Sequence, residues 1–188
     1  MAERHASIWW KVKPYTMTSV ERIVALCQSI AHLENHRVPG AIVECGVLKG
    51  GSMMAAALAL KALESTQRQL YLYDTSTGGS LGDVKQALMQ TRYPWEKIIF
   101  VEGRVEAPAQ IALLCLNTRT YESTLSELEH LYPRLADGGI LIVDDGGAKL
   151  AVDQYFHDQG IDADLRTVDD TGRLLIKKAG QQILSAAA

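Results

Sequence analysis

Short runs of apolar residues recur along the chain and alternate with longer segments whose apolar residues repeat at helical spacing. Most of the short runs lack polar alternation, and continuous apolar runs are typical of strands that are buried on both faces. The pattern therefore predicts a parallel sheet between two layers of helices. The predicted strands cover residues 41–45, 70–74, 97–101, 111–116, 140–144, 165–168 and 173–178.

The segments between these runs have the features of amphipathic helices. Thr18 followed by Glu21 forms a capping-box pattern, and the apolar residues that follow repeat every three or four positions, so we predict a helix over about 19–36. Pro133 should kink or end a later helix. The other predicted helices run from just after Gly50 and Gly51 to about Leu63, over about 82–91, onward from near Ser123, and over 148–158.

The last two strand runs are separated by "DDTG", residues 169–172, which is a hairpin signal. We therefore expect the final two strands to be antiparallel neighbours and the rest to be parallel. The sequence predicts an α/β fold: a Rossmann-like, doubly wound, seven-stranded sheet, mostly parallel with an antiparallel C-terminal hairpin, and with helices on both faces.

Composition restricts the functional classes. A hydrophobic content of 47% in 188 residues suits one compact domain, and the net charge of −3 without a dense basic run argues against a nucleic-acid partner. The longest apolar stretch, residues 53–60, is too short to cross a bilayer, and the N-terminal residues lack a signal-peptide core, so we expect a cytoplasmic protein. The three cysteines should be reduced, buried thiols: Cys27, Cys45 and Cys115.

Candidate chemistry lies at the predicted carboxyl ends of the strands. The first strand ends in an acidic-x-Gly-x-x-x-Gly turn, in which Glu44 precedes Gly46 and Gly50. Glycines let the backbone approach a ligand, and the amides of the following helix N-terminus suit a carboxylate or phosphate; a tight turn without a ligand is the alternative. Asp74 ends the next strand, where an acid either accepts hydrogen bonds from a ribose or caps the loop.

Nicotinamide and S-adenosylmethionine (SAM) sites both use such an acid. The turn lacks the G-x-G-x-x-G spacing that a pyrophosphate requires, and it is similar to the first motif of SAM-dependent methyltransferases.

Asp144 and Asp145 stand side by side where a buried strand should end. Like charges repel, and each is costly to desolvate without a partner. We therefore expect a partner for the pair, with structural capping of the strand end as the alternative.

Six segments in the right order resemble the macrocin O-methyltransferase family, whose members methylate sugar hydroxyls on macrolide and aminocoumarin antibiotics. They are "PYTMTSVERI" (14–23), "VPGAIVECGVLKGGSMM" (38–54), "YLYDT" (71–75), "YESTLSELEHLYPRL" (121–135), "GGILIVDDGG" (138–147) and "AVDQYF" (151–156).

The resemblance implies a SAM site. It would place an N-terminal lid segment and helix over residues 1–37 and the SAM-binding part over 38–188 of one compact domain. Alternatively, the N-terminal aromatic residues belong to an arm that packs on the core or on a dimer partner. The implied residues are Tyr15 and Met17 in the lid, Glu44, Gly46, Gly50, Gly51 and Ser52 around the methionine part, Asp74 at the ribose, and Gly103, Arg104 and Val105 at the adenine.

The resemblance also implies a magnesium ion that is held by Asp144 and Asp145. The family usually has an aspartate at position 117 as third ligand and another at position 119 as candidate base, but this chain has Asn117 and Arg119. Asn117 can offer a carbonyl oxygen, so weaker magnesium binding is expected. Arg119 cannot act as a base, although it can bind a substrate carboxylate or phosphate. Deprotonation must then come from Asp145, from the metal-lowered acidity of the hydroxyl, or from a residue that the sequence does not identify.

The sequence thus predicts a SAM-dependent O-methyltransferase that acts on a hydroxyl of a sugar or another small natural-product intermediate. Two alternatives stay open: the same scaffold catalysing a non-methylating reaction in natural-product biosynthesis, and a non-catalytic SAM-binding protein. The expected partner is a small-molecule acceptor. "IWW", residues 8–10, also suggests self-association, so a homodimer is possible.

Overall fold

A computed structural model describes residues 2–73, 80–101, 107–118, 120–144 and 146–181. These residues form one seven-stranded sheet. All the predicted strands are confirmed, most of them to within two residues at each end, although β5 begins five residues earlier than predicted. The strands are β1 (Ala41–Cys45), β2 (Leu70–Tyr73), β3 (Ile98–Val101), β4 (Ile111–Leu116), β5 (Leu135–Asp144), β6 (Arg166–Thr167) and β7 (Gly172–Ile176).

The strand order is β3-β2-β1-β4-β5-β7-β6. Strand β1 pairs in parallel with β2 and with β4, while β7 runs antiparallel to both β5 and β6. The predicted fold class and the antiparallel final pair are therefore confirmed. Because the chain winds outward in both directions from β1 and β4, the carboxyl ends of these two strands flank the crevice where such sheets bind ligands.

Helices cover the two faces of the sheet. Alternate residues of β1 show the arrangement, since Ile42 packs into a core with α1 to α4 and Val43 into a second core with α5 and α6. This is the layered packing that continuous apolar strands require. The helices are α1 (Ala2–Val12), α2 (Val20–Asn35), α3 (Gly51–Ala62), α4 (Leu81–Met89), α5 (Tyr121–Leu131) and α6 (Lys149–Asp158).

Two local expectations need correction. The N-cap of α2 is Ser19 and not Thr18, because the Ser19 hydroxyl accepts the amide hydrogen of Arg22. The N-terminal segment also forms the helix α1, which the sequence analysis did not predict. Its Ile8 is buried in the core, whereas Trp10 remains 67% exposed.

Two other expectations are confirmed. The helix α5 ends at Leu131, and Pro133 follows in a 3₁₀ turn. Cys27, Cys45 and Cys115 are buried thiols.

Candidate active site

A cleft of about 560 Å³ opens at the carboxyl edge of the sheet, beside the ends of β1 and β4. The starts of α2 and α3, the turn between β6 and β7, and the chain that leads into α2 complete its walls. The structure therefore brings residues from distant parts of the sequence to one ligand-sized space. Eight of the predicted residues line it: Tyr15, Met17, Glu44, Gly46, Gly51, Ser52, Asn117 and Asp144.

The remaining predicted residues fall into two groups. Gly50 belongs to the same glycine-rich turn, as the N-cap residue of α3. The others lie outside the described residues, so their roles stay predictions: Asp74, Gly103, Arg104, Val105, Arg119 and Asp145.

The turn from β1 to α3 forms the floor of the cleft. Gly46 has a φ of +77°, and a Cβ atom there would lie 2.9 Å from the carbonyl oxygen of Asn117, so only glycine fits where β1 and β4 end together. Helix α3 begins at Gly51 without a side-chain cap. Its first amide groups therefore remain available to a negatively charged ligand group.

Glu44 is the buried acid of this floor, with an exposed fraction of 1%. Its Oε1 accepts a hydrogen bond from Asn117 Nδ2 at 2.7 Å, while its Oε2 has no hydrogen-bond partner among the described residues. Burial raises the pKa of Glu44 to about 8, although the Ser52 and Asn117 side chains lower it by favouring the charged form. A buried acid with one unpaired oxygen is a binding point for a cationic or hydrogen-donating ligand group.

The segment before α2 lies across the glycine-rich turn. A Cβ atom at Gly51 would come within 2.4 Å of Thr16 Cβ and 2.6 Å of the Tyr15 carbonyl oxygen. The Tyr15 hydroxyl accepts a hydrogen bond from Gln90 Nε2, at the C-cap of α4, at 2.8 Å. Met17 lines the cleft while remaining 76% exposed. Gly51 is thus required by the packing of this segment as well as by the start of the helix.

Arg22 of α2 joins two acids on the opposite wall. Its Nη1 lies 2.8 Å from Asp144 Oδ2, and its Nη2 lies 2.6 Å from Asp169 Oδ1. Nε also donates to Asp169, at 3.1 Å, and Nη2 donates to Thr171 Oγ1 at 2.9 Å. Ser19 donates a further hydrogen bond to Asp169. The end of β5 and the β6–β7 turn are therefore both attached to the start of α2.

The pKa values in this network favour the charged forms. Burial lowers the pKa of Arg22, but the hydrogen bonds to Asp169 and Asp144 raise it overall. Burial raises the pKa of Asp169, yet the hydrogen bonds from Arg22 and Ser19 lower it to about 2. The pKa of Asp144 also falls below its ordinary value because Arg22 and Thr171 outweigh burial. All three groups are charged at neutral pH.

Sequence reasoning missed Arg22 and Asp169 as site residues. A signal was present, because Arg22 lies on the buried side of α2 together with Leu26 and Leu33. A charge on the apolar face of a helix requires an acidic partner nearby. Asp169 was assigned only to a turn, since a sequence does not show which helix the turn contacts.

None of the helices in the described part of the chain is long and apolar enough to span a membrane.

Comparisons with known proteins point to one family. The sequence profile described as macrocin O-methyltransferase (TylF) matches residues 1–92 and 88–177. A demethyldecarbamoylnovobiocin O-methyltransferase from Streptomyces niveus is 28% identical over 198 aligned residues, which cover 87% of this chain and 76% of the relative.

Two further comparisons agree. An 8-demethyl-8-(2,3-dimethoxy-alpha-L-rhamnosyl)-tetracenomycin-C 4'-O-methyltransferase from Streptomyces olivaceus is 27% identical, over 87% of this chain and 76% of its own length. The solved structure of the O-methyltransferase NovP superposes with a TM-score of 0.76 at 27% identity, covering 87% of this chain and 82% of NovP.

Proposed function

Because the chain belongs to the macrocin O-methyltransferase (TylF) family, we propose that it transfers a methyl group from SAM to a hydroxyl of a sugar or another small natural-product intermediate. The observation that supports this most directly is Glu44, a buried acid on the floor of the cleft with one oxygen that none of the described residues binds. It lies one short turn before the uncapped start of α3.

These two features fit the methionine part of SAM, which has an ammonium and a carboxylate group. Glu44 Oε2 would accept a hydrogen bond from the ammonium group, and the positive charge would favour the ionised form of the acid. The first amides of α3 would bind the carboxylate, helped by the helix dipole. Tyr15 and Met17 would cover the bound cofactor, since both lie on the cleft wall that crosses Gly51.

Two further groups of residues are proposed for the nucleoside part. Strands β2 and β3 end at Tyr73 and Val101 on the same edge of the sheet as Glu44. Asp74 follows β2 directly and is proposed to bind the ribose, while Gly103, Arg104 and Val105 follow β3 and are proposed to contact the adenine.

When bound, SAM supplies an electrophilic methyl group whose bond to sulfur breaks, with the electron pair kept by sulfur, as the acceptor oxygen bonds to the methyl carbon. The acceptor hydroxyl must lose its proton, for which we propose Asp145 as the base. Arg119 is proposed to bind and orient the acceptor through its guanidinium, since it has no lone pair to accept a proton. The cleft wall contributes by positioning the two reactants.

Magnesium does not fit the described residues in the way the resemblance implied. Each oxygen of Asp144 already accepts a hydrogen bond, Oδ2 from Arg22 and Oδ1 from the Gly146 amide at 3.3 Å. Asn117 is oriented by its bond to Glu44. No group of three or more His, Cys, Asp or Glu residues that could hold a metal occurs in the described part of the chain. The proposed reaction therefore has no metal-dependent step.

We propose that the acceptor binds in the part of the cleft beside Asp170 and Thr171, in the turn between β6 and β7. Hydroxyl and carboxylate side chains there offer hydrogen-bond acceptors of the kind that bind sugar hydroxyls. The names of the two Streptomyces relatives describe O-methylation of demethyldecarbamoylnovobiocin and of a rhamnosyl-tetracenomycin, which supports an acceptor of this class.

The proposal is tested by calorimetric titration with SAM and with S-adenosylhomocysteine, followed by transfer of a labelled methyl group to a panel of glycosylated natural products. We expect both nucleosides to bind, and S-adenosylhomocysteine to form in step with the methylated acceptor. Glu44→Gln should weaken binding, whereas Glu129→Gln, at an exposed site on α5, should not.

Absence of binding to the folded wild type would refute the proposal. Consumption of an acceptor without consumption of SAM would instead identify a non-methylating enzyme. Binding without any turnover across the panel would favour a non-catalytic SAM-binding protein.

A further inference from the structure

Asp144 is held by a cation that the chain itself supplies. The guanidinium of Arg22 contacts Asp144 Oδ2 through Nη1 at 2.8 Å, and both side chains line the cleft. Arg22 is nearly buried, with a side-chain exposed fraction of 8%, while Asp144 is 37% exposed. The partner that an acid at this strand end requires is therefore present within the described residues.

The guanidinium is fixed in place on its other side. Nε and Nη2 donate to the two oxygens of Asp169, at 3.1 and 2.6 Å, which is a bidentate arrangement. Nη2 also donates to Thr171, and Asp169 is itself held by the backbone amides of Thr171 and Gly172 at 3.1 and 2.5 Å. A cation with this many bonds cannot leave Asp144 without breaking a largely buried network, which is costly.

Gly172 shows how closely the network is packed. A Cβ atom at this position would lie 2.6 Å from Arg22 Nε and 2.7 Å from Asp169 Oδ1. The first residue of β7 thus leaves just enough room for the guanidinium, and the arrangement depends on backbone as well as on side chains.

The other described position, Asn117, is held by a different contact. Asn117 donates its amide hydrogen to Glu44 at 2.7 Å, so this residue is oriented by the acid on the cleft floor. The carboxylate of Asp144 is thus neutralised within the chain, while the side chain of Asn117 is oriented by Glu44 through its Nδ2 atom.

We infer that Arg22 takes the electrostatic place of a divalent cation, so that the methyl transfer of this protein is independent of magnesium. Arg22 is a positioning residue: it neutralises and orients Asp144, and through Asp169 it holds the β6–β7 wall of the cleft. This inference rests on the proposed function, but its central measurement, metal binding, does not require turnover.

The first experiment uses the purified wild type after treatment with a chelator. Magnesium alone is titrated by calorimetry and by thermal unfolding, at millimolar concentrations. We expect no binding heat and no magnesium-dependent rise in Tm for the wild type. Magnesium should likewise leave the Tm of Asp144→Asn unchanged. A magnesium-dependent rise in Tm that Asp144→Asn abolishes would overturn the inference, whatever the outcome of the methylation assay.

The second experiment removes the cation. In Arg22→Gln, Asp144 loses its partner, so magnesium should now raise Tm, and the double variant with Asp144→Asn should lose this response. Arg22→Lys should keep the charge and remain unresponsive to magnesium. The matched control is Arg166→Gln, because Arg166 pairs with Asp164 on the exposed surface.

Turnover gives an independent readout once an acceptor is known. Chelator should leave wild-type turnover unchanged, and Arg22→Gln should lose turnover that magnesium partly restores. A loss of wild-type turnover in chelator, reversed by magnesium, would contradict the inference. If Arg22→Gln does not fold, the wild-type and Asp144→Asn measurements still decide it. Titration with S-adenosylhomocysteine tests the proposed function separately.

Discussion

Asn117 donates a hydrogen bond from its side-chain amide to the buried carboxylate of Glu44, across the junction where β1 and β4 end. The backbone supports the same junction, because the Asn117 amide donates to the Cys45 carbonyl at 2.9 Å. An amide can donate to a neighbouring carboxylate, whereas an ionised aspartate cannot. The amide at position 117 is therefore matched to the acid beside it.

The variant Asn117→Asp should destabilise the protein, since two carboxylates that share a buried site repel each other. We expect the free energy of unfolding to fall by about 1–3 kcal/mol, the cost of losing a buried hydrogen-bond partner. The loss should be largest above the pKa of Glu44, which is about 8, where both acids would ionise. Urea unfolding at several pH values measures it.

The matched control for this variant is Asn35→Asp, at the exposed end of α2. An added negative charge at a helix C-terminus should cost only about 0.3–1 kcal/mol. Equal stabilities of Asn117→Asp and the wild type above the pKa of Glu44 would show that the amide is not needed.

The pH dependence of stability should report Glu44 directly. Its pKa rises from 4.5 in the unfolded chain to about 8 in the folded one, so the folded state retains a proton that the unfolded state has lost. This contribution to stability is complete below pH 4.5 and disappears as the pH rises to about 8. We expect the stability of the wild type relative to Glu44→Gln to decline across this window. A constant difference between the two proteins would contradict the raised pKa.

Ligand binding should reverse this protonation. If the ammonium group of S-adenosylhomocysteine binds Glu44, the acid releases its proton near neutral pH. Calorimetry in buffers with different ionisation enthalpies should then show proton release for the wild type and none for Glu44→Gln. The same measurement on Glu129→Gln should match the wild type.

The sequence was sufficient for the sheet because its signals are local. Continuous apolar runs placed the strands, and the strand ends located the cleft, since all parallel strands finish at one edge. Glu44 and Gly46 could be identified as site residues from the turn alone. The partner of Asp144 could not, because Arg22 and Asp144 are far apart in the chain and only tertiary packing brings α2 onto the end of β5.

Helix α1 was missed for a similar reason. Its apolar residues Ile8 and Val12 become buried only because α2 and α3 offer a surface for them. The same packing explains Gly51, which was interpreted as a site of ligand approach. Its neighbours Tyr15 and Thr16 lie far away in sequence, so the requirement for glycine is visible only in the fold.

The variant Gly51→Ala should displace the segment that precedes α2. The new methyl group would meet Thr16 Cβ at 2.4 Å and the Tyr15 carbonyl oxygen at 2.6 Å, and neither can move without shifting the backbone. We expect a loss of about 1–3 kcal/mol in stability, as for other overpacked sites, together with weaker binding of S-adenosylhomocysteine. Thermal unfolding and calorimetric titration measure the two effects.

Gly82 provides the control for this substitution. It lies in the first turn of α4, and a Cβ atom there would meet Ser80 Oγ at an ordinary 3.5 Å. Gly82→Ala should be neutral or stabilising by up to about 1 kcal/mol, because alanine has the higher helix propensity. If Gly51→Ala behaved like Gly82→Ala, the close contact with the Tyr15 segment would be refuted.

Acid titration should reveal the ion pair between Arg22 and Asp169. The pKa of Asp169 falls from 3.8 to about 2 in the folded protein, so its ionised form stabilises the fold above 3.8, and this stabilisation is lost as the pH falls through about 2. Asp169→Asn leaves the nearly buried Arg22 without its bidentate partner. We expect it to cost about 3 kcal/mol at neutral pH, the lower end for breaking a buried pair, because Asp144 still contacts Arg22.

The difference in unfolding free energy between the wild type and Asp169→Asn, measured in urea, should shrink as the pH falls from 3.8 toward 2. Asp164→Asn is the control, because its pair with Arg166 is exposed and should contribute little at any pH. A difference for Asp169→Asn that stays constant across this acid window would mean that the carboxylate charge does not hold the guanidinium. The position of Arg22 beside Asp144 would then need another explanation.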